Sequence, residues 1–168
     1  MNDDLVARMV AASEMHGDFV LSSGKRSSVY FDKFRFLTDP GLLRDLAKAV
    51  TALLPSGITL LGAPEGAAML LVAAVALETG LPVTVVRKRA KEYGTGNRVE
   101  GTVRPGARVA LLEDVSTTGD QVQRAAEALR EAGATIEAIV LAIDRGGGDR
   151  LRDAGYRVET IAALRPDD

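Results

Sequence analysis

Leu5, Val6, Met9, Val10 and Ala12 recur at three- and four-residue spacing, so a first helix is predicted over about residues 3–16. His16 then falls at its end, where a cation suits the helix dipole. Two short β-prone runs follow, at 19–21 and 29–31. The polar stretch Ser22-Ser23-Gly24-Lys25-Arg26-Ser27 separates them, which is a hairpin pattern. Asp39 and Pro40 open a second helix as cap and first-turn proline. Leu42, Leu43, Leu46, Ala49, Val50 and Leu53 form its apolar face.

Beyond residue 58 the pattern changes to continuous apolar runs alternating with helical stretches. Strands are predicted at 58–61, 82–87, 108–112, 136–143 and 156–161. Helices are predicted from the turn at 62–66 up to Thr79, at 120–131 and at 149–154, with Gly133 ending the second of these. Unbroken apolar strands alternating with helices imply a parallel sheet covered on both faces. The expected architecture is α/β: a doubly wound, mostly parallel sheet flanked by helices, with an N-terminal helix and β-hairpin attached. Ligands in such sheets bind at the carboxyl ends of the strands. The turns at 62–66, 113–119 and 144–148 sit there, together with the long segment 88–104.

Composition narrows the class. A chain of 168 residues is one domain, here divided into 1–37 (helix and hairpin) and 38–168 (core), and it is long enough to bury a core without staples. Cys is absent, which excludes disulfides and thiolate metal sites and suits a reducing compartment. With 21 Lys+Arg against 23 Asp+Glu, a broad electrostatic grip on nucleic acid is not expected. The N-terminus Met1-Asn2-Asp3-Asp4 is acidic, unlike a targeting peptide. The longest apolar stretch, 67–77, is too short for a bilayer, which needs roughly 20 residues. The expectation is a cytoplasmic protein. Five of the seven aromatic residues, Phe19, Tyr30, Phe31, Phe34 and Phe36, cluster in the hairpin region.

The sharpest chemical signal is the run from Val109 to Gln121. A buried strand ends in Glu113 and Asp114. Val115, Ser116, Thr117, Thr118 and Gly119 then lead into a helix beginning Asp120-Gln121. Free N–H groups at such a helix start make an anion site, and the hydroxyls add donors. No Lys follows the Gly, so this is not a Walker loop. Two acids beside an anion cradle make sense if they accept hydrogen bonds from sugar hydroxyls, as for a 5-phosphorylated ribose. A strand end followed by an ordinary helix cap is the plainer alternative.

This segment resembles the phosphoribosyl-diphosphate motif of type I phosphoribosyltransferases: an apolar strand, two acids, then a Thr/Thr/Gly loop. The resemblance implies that Glu113 and Asp114 hold the ribose hydroxyls and that residues 116–121 hold the 5′-phosphate. The run Arg87-Lys88-Arg89-Ala90-Lys91-Glu92-Tyr93-Gly94-Thr95-Gly96 is similar to the Arg-Lys-x-x-Lys-x-His-Gly loop of orotate phosphoribosyltransferases. In that family a mobile basic loop covers the leaving diphosphate and reaches into the neighbouring subunit, so a homodimer is implied. The resemblance gives Arg87, Lys88, Lys91 and Tyr93 contacts to the ribosyl donor, with Lys91 stabilising the leaving group. Tyr93 stands where the family usually has His.

The hairpin resembles the same family's Ser-Gly-x-x-Ser stretch and paired aromatics, which form a hood over the pyrimidine. The matching aromatics are Tyr30 and Phe31, and Ser22 stands where many members have Lys. Packing in the strand is the alternative role for both rings. Arg suits a planar carboxylate through its two-pronged donor geometry. The Asp144-Arg145 pair matches a family position whose Arg binds orotate, and Thr117 is the loop residue placed with it. Glu65, in the turn Gly62-Ala63-Pro64-Glu65-Gly66, stands where some members carry Lys.

The resemblance implies transfer of the phosphoribosyl group from 5-phosphoribosyl 1-diphosphate to orotate, with Mg²⁺ on the donor's oxygens and no dedicated protein ligands for it. Two alternatives stay open from the sequence: transfer to another base, such as a purine, and a non-catalytic sensor of the ribosyl donor.

Overall fold

The computed structural model describes residues 2–20, 24, 26–89 and 98–164. Ser22, Lys25, Lys91, Tyr93, Gly94 and Gly96, all singled out above, lie outside the described residues.

Helix α1 (Asn2–Ser13) is shorter than the apolar periodicity predicts, because strand β1 (Glu14–Val20) begins at once. β1 pairs antiparallel with β2 (Arg26–Phe31), Glu14 opposite Phe31 and His16 opposite Val29. The Ser13 carbonyl accepts a hydrogen bond from the Asp32 N–H at 2.9 Å, which closes the hairpin base where a longer helix would run. His16 is therefore a strand residue, not a helix end, and its Nε2 lies 3.0 Å from Glu14 Oε1.

A five-residue helix that the pattern does not predict, α2 (Lys33–Leu37), follows the hairpin. Asp32 is its N-cap, its carboxylate accepting from the Phe34 N–H at 3.0 Å. Phe36 and Leu37 are fully buried, so Phe36 is a core residue, its ring 6.4 Å from that of Phe31 in the hairpin. Helix α3 (Pro40–Leu53) starts as expected, with Asp39 accepting from the Leu42 N–H at 2.8 Å.

The core repeats strand and helix: β3 (Leu60–Pro64), α4 (Ala68–Thr79), β4 (Val83–Val86), β5 (Val99–Glu100), β6 (Arg108–Ser116), α5 (Asp120–Glu131), β7 (Thr135–Asp144), α6 (Gly147–Asp153) and β8 (Val158–Ala163). The described sheet runs β5-β4-β3-β6-β7-β8. All neighbours are parallel except β5, which pairs antiparallel with β4. The predicted loop 88–104 thus contains an edge strand. The β6 strand reaches past the predicted end at 112 to include both acids and Ser116.

Successive β6 residues supply two cores. Ala110 and Leu112 join Leu46, Leu61 and Leu71 beneath α3 and α4; Val109 and Leu111 join Leu129 and Leu141 beneath α5. Each fully buried leucine contributes about 1.5–3 kcal/mol relative to an exposed one. The crossovers through α4 and α5 leave the sheet on opposite faces. The carboxyl ends of β3 and β6 therefore form the topological switch point, where the following chains diverge and a crevice opens.

Candidate active site

A cleft of about 600 Å³ occupies that crevice. Its wall is made by Lys33, Pro64, the root of the basic segment (Arg87, Lys88, Arg89), Arg98 and the whole run from Glu113 to Val122, with Arg124 and Ala125 beyond.

The β6 carboxylates sit at its floor. Glu113 is 4% exposed and Asp114 is 1% exposed. Glu113 Oε1 accepts weakly from the Asp114 N–H at 3.2 Å. Burial, and then the adjacent Asp114 carboxyl, push the Glu113 carboxyl well above the usual carboxylate range. Lys33 Nζ stands 2.8 Å from Asp114 Oδ2 as an ion pair.

The loop after β6 turns because Gly119 adopts φ +77°, a left-handed conformation that other residues resist. The first intrahelical bond of α5 runs from the Gln123 N–H to the Gly119 carbonyl. The N–H groups of Gln121 and Val122 are left without helical acceptors at the cleft wall. Thr118 Oγ1 donates to Asp120 Oδ2 at 3.0 Å, and Asp120 Oδ1 pairs with Arg150 at 2.5 Å. That carboxylate is thus tied into the scaffold beside the loop. Gln121 Nε2 donates to the Glu65 carbonyl at 3.3 Å, joining the two diverging turns.

The neighbouring β7 turn is built against this loop. Asp144 Oδ1 accepts from the N–H groups of Gly146 and Gly148, both at 2.9 Å. A Cβ on Gly147 would fall on Ser116 Oγ, so the two loops require glycine to lie this close. The Arg145 N–H donates to the Ser116 carbonyl at 2.8 Å, which orders the start of that turn. The Arg145 guanidinium lies 6.0 Å from the centre of the Phe31 ring.

The structure therefore brings Phe31 and Arg145 together, and gathers Arg87, Lys88 and residues 113–121 around one cleft. It sets Tyr30 apart from Phe31. Adjacent strand residues face opposite ways, and Tyr30 lies against Phe19 at 5.5 Å. Glu65 does not line the cleft; its Oε1 accepts from the Lys88 N–H at 2.7 Å and so anchors the root of the basic segment. Lys33, Arg98 and Arg124 are cleft residues that sequence reasoning missed. Arg98 is held by donating from Nε to the Arg87 carbonyl at 3.0 Å. No local motif marks these three; the fold alone brings them there.

Two buried polar side-chain atoms of this wall, Arg87 Nε and Ser116 Oγ, have no hydrogen-bond partner, and Asp114 Oδ2 meets only the Lys33 ammonium. Such atoms are rare in folded proteins, and their concentration in one cleft is what a polar ligand's site shows.

No family model matches the chain. It is 41% identical over 167 residues to the orotate phosphoribosyltransferase of Halobacterium salinarum, covering 99% of this chain and 95% of that one. Among solved structures, the orotate phosphoribosyltransferase of Aeropyrum pernix is 34% identical with a TM-score of 0.79, covering 95% of this chain and 92% of that one. That of Mycobacterium tuberculosis, in complex with Fe(III) dicitrate, superposes with a TM-score of 0.82 at 27% identity, covering 97% and 96%.

Proposed function

The chain belongs to the orotate phosphoribosyltransferase family, and from that premise we propose how its cleft carries out the transfer. The reaction moves the 5-phosphoribosyl group from 5-phosphoribosyl 1-diphosphate to orotate, giving orotidine 5′-monophosphate and diphosphate, a step in making pyrimidine nucleotides. The observation that carries the reading is the buried acid pair next to a helix-start anion cradle, with the buried Ser116 Oγ unpartnered between them.

Glu113 and Asp114 accept hydrogen bonds from the ribose hydroxyls. Ser116, Thr117 and Thr118, with the free N–H groups at the start of α5 beside Gly119, Asp120 and Gln121, hold the 5′-phosphate. Val115 spaces the acids from that cradle. Arg87, Lys88, Lys91 and Tyr93 take the diphosphate. Arg145, Phe31 and Thr117 take orotate: the guanidinium meets the carboxylate and the ring packs on the pyrimidine, with Tyr30 at the outer edge of the hairpin.

In the transfer a ring nitrogen of orotate forms the bond to the ribose carbon. The diphosphate oxygen leaves with its electron pair, and the nitrogen's proton passes to the medium. Positive charge develops on the ribose as in other glycosyl transfers. No protein nucleophile is required, so the chain contributes positioning and charge stabilisation. The acids of the cleft offer oxygen only, with no His or Cys among its lining residues, a donor set that suits Mg²⁺. When bound together with the donor, Mg²⁺ would supply charge neutralisation to the leaving diphosphate, with the oxygens of Glu113 and Asp114 facing it or its waters.

The assembly we propose is a homodimer in the cytoplasm. Supporting it, α4 is wholly apolar from Ala68 to Leu77, and Met69, Leu70 and Leu77 remain exposed at 44%, 38% and 90%. An uncovered apolar helix face marks an interaction surface. No described helix is long and apolar enough to cross a membrane.

The test is absorbance-monitored consumption of orotate with 5-phosphoribosyl 1-diphosphate and Mg²⁺, beside adenine and xanthine as competing acceptors. Turnover of orotate alone is expected; product from a purine but not from orotate overturns the assignment.

A further inference from the structure

Lys33 is bound to the site by the fold and by nothing in the motif. It is the first residue of α2, directly after the hairpin strand that carries Phe31. Its position is fixed on both sides. The Asp32 N–H donates to the Ser13 carbonyl, the Asp32 carboxylate caps the Phe34 N–H, and Phe36 and Leu37 anchor α2 in the core. From that root the side chain crosses to the end of β6, and Nζ reaches Asp114 Oδ2 at 2.8 Å.

Asp114 is almost wholly buried beside the equally buried Glu113. Two adjacent carboxyls withdrawn from water repel each other and need a compensating cation. Lys33 supplies one, while its own side chain stays 38% exposed toward the cleft. An ionised carboxylate offers about four lone-pair sites and the Lys33 ammonium engages only part of them, so Asp114 is held in place with acceptor capacity in reserve. A ribose hydroxyl can use that capacity.

We propose that Lys33 is a positioning residue for the ribosyl donor, acting through Asp114: it holds the carboxylate at the angle that receives a ribose hydroxyl, and it ties the acid pair to the base of the hairpin. This rests on the reading of the acids as ribose ligands.

The test compares wild type with Lys33→Met, Lys33→Arg, Asp114→Asn and the Lys33→Met/Asp114→Asn double variant. The Michaelis constants for donor and orotate are measured separately, and donor binding without orotate is measured by calorimetry. Lys33→Met should raise the donor KM and its dissociation constant by about ten-fold or more, the order expected for losing a charge-assisted contact. The orotate KM should stay within about two-fold, and Lys33→Arg should restore most of the donor affinity. In the Asp114→Asn background Lys33→Met should change little, because residues that act through one another are not additive. If Lys33→Met does not melt cooperatively, Lys33→Gln is read by the same criteria. Unchanged donor affinity in the methionine variant overturns the proposal, and so does an equal loss in the Asp114→Asn background. Failure of the wild-type protein to bind donor or consume orotate would instead overturn the underlying reading.

Discussion

Replacing Gly119 by alanine tests whether the proposed phosphate cradle depends on a backbone shape that only glycine takes without strain. Gly119 has φ +77°, and an added Cβ would lie 2.8 Å from the Gly147 carbonyl oxygen and 3.3 Å from Leu151 Cγ. The first contact is with backbone, which cannot swing aside as a side chain does. Gly80, at the end of α4, is the internal control. Its φ is +71°, and an added Cβ would meet nothing within 4 Å. At Gly80 the left-handed conformation costs alanine about 1–2 kcal/mol, offset by about 0.4–1 kcal/mol from a less flexible unfolded chain. The net is about 1 kcal/mol. At Gly119 the steric conflict adds about 1–3 kcal/mol, for a total near 3 kcal/mol. For a domain of this size each kcal/mol moves the melting temperature by about 2–4 °C. Gly80→Ala should therefore lower Tm by about 2–4 °C and Gly119→Ala by about 6–12 °C, measured by calorimetry. Movement of the loop to relieve the conflict would also carry the cradle away from the 5′-phosphate. Donor KM should then rise in Gly119→Ala and stay unchanged in Gly80→Ala. Equal Tm losses in the two variants, or wild-type donor affinity in Gly119→Ala, would refute the reasoning.

Arg145→Ala should raise the orotate KM by about 10- to 100-fold, the loss of a charge-assisted contact, while the donor KM stays within two-fold; equal changes in both constants would remove Arg145 from the base site. Glu113 is held protonated more strongly when folded than when unfolded, because burial and Asp114 raise its pKa. Its contribution therefore disfavours the folded state increasingly as pH rises from the ordinary carboxylate range through the raised value, and is absent below that range. Glu113→Gln removes it, so the Tm of the variant relative to wild type should climb as the pH is raised from about 4.5 toward neutrality; a constant offset across that window contradicts the burial argument. Leu77→Asp on α4 should convert a sedimenting dimer to monomer without lowering helix content, whereas a wild type that already sediments as monomer would sink the proposed assembly.

The parts of the site that lie on one continuous run were legible in advance. Glu113 to Gln121 supplies two acids, three hydroxyls and a helix start within a single strand–loop–helix, so their grouping follows from chain connectivity alone. The caps were legible for the same reason: Asp39 and its acceptor role involve residues three apart. The misplaced elements all depended on distant partners. Helix periodicity through Ala12 cannot show that Ser13 will bond Asp32, and so it carried the first helix through His16. The aromatic cluster of 19–36 reads as one group, yet α2 turns Phe36 into the core while Phe34 stays half exposed.

By itself, then, the sequence determined the alternating α/β order, the two-faced burial of β6 and the grouping of acids and hydroxyls on the loop after it. These follow from side-chain periodicity and from the left-handed turn that glycine permits. Only the tertiary structure decided which cations meet the acid pair. Lys33 reaches Asp114 because the hairpin, its cap and the buried Phe36 fix α2 over the end of β6. It decided that Glu65 turns to the Lys88 backbone instead of the cleft, and that Phe31 rather than Tyr30 faces Arg145. Such pairings are contacts between remote segments, set by strand register and core packing, and no local spacing encodes them.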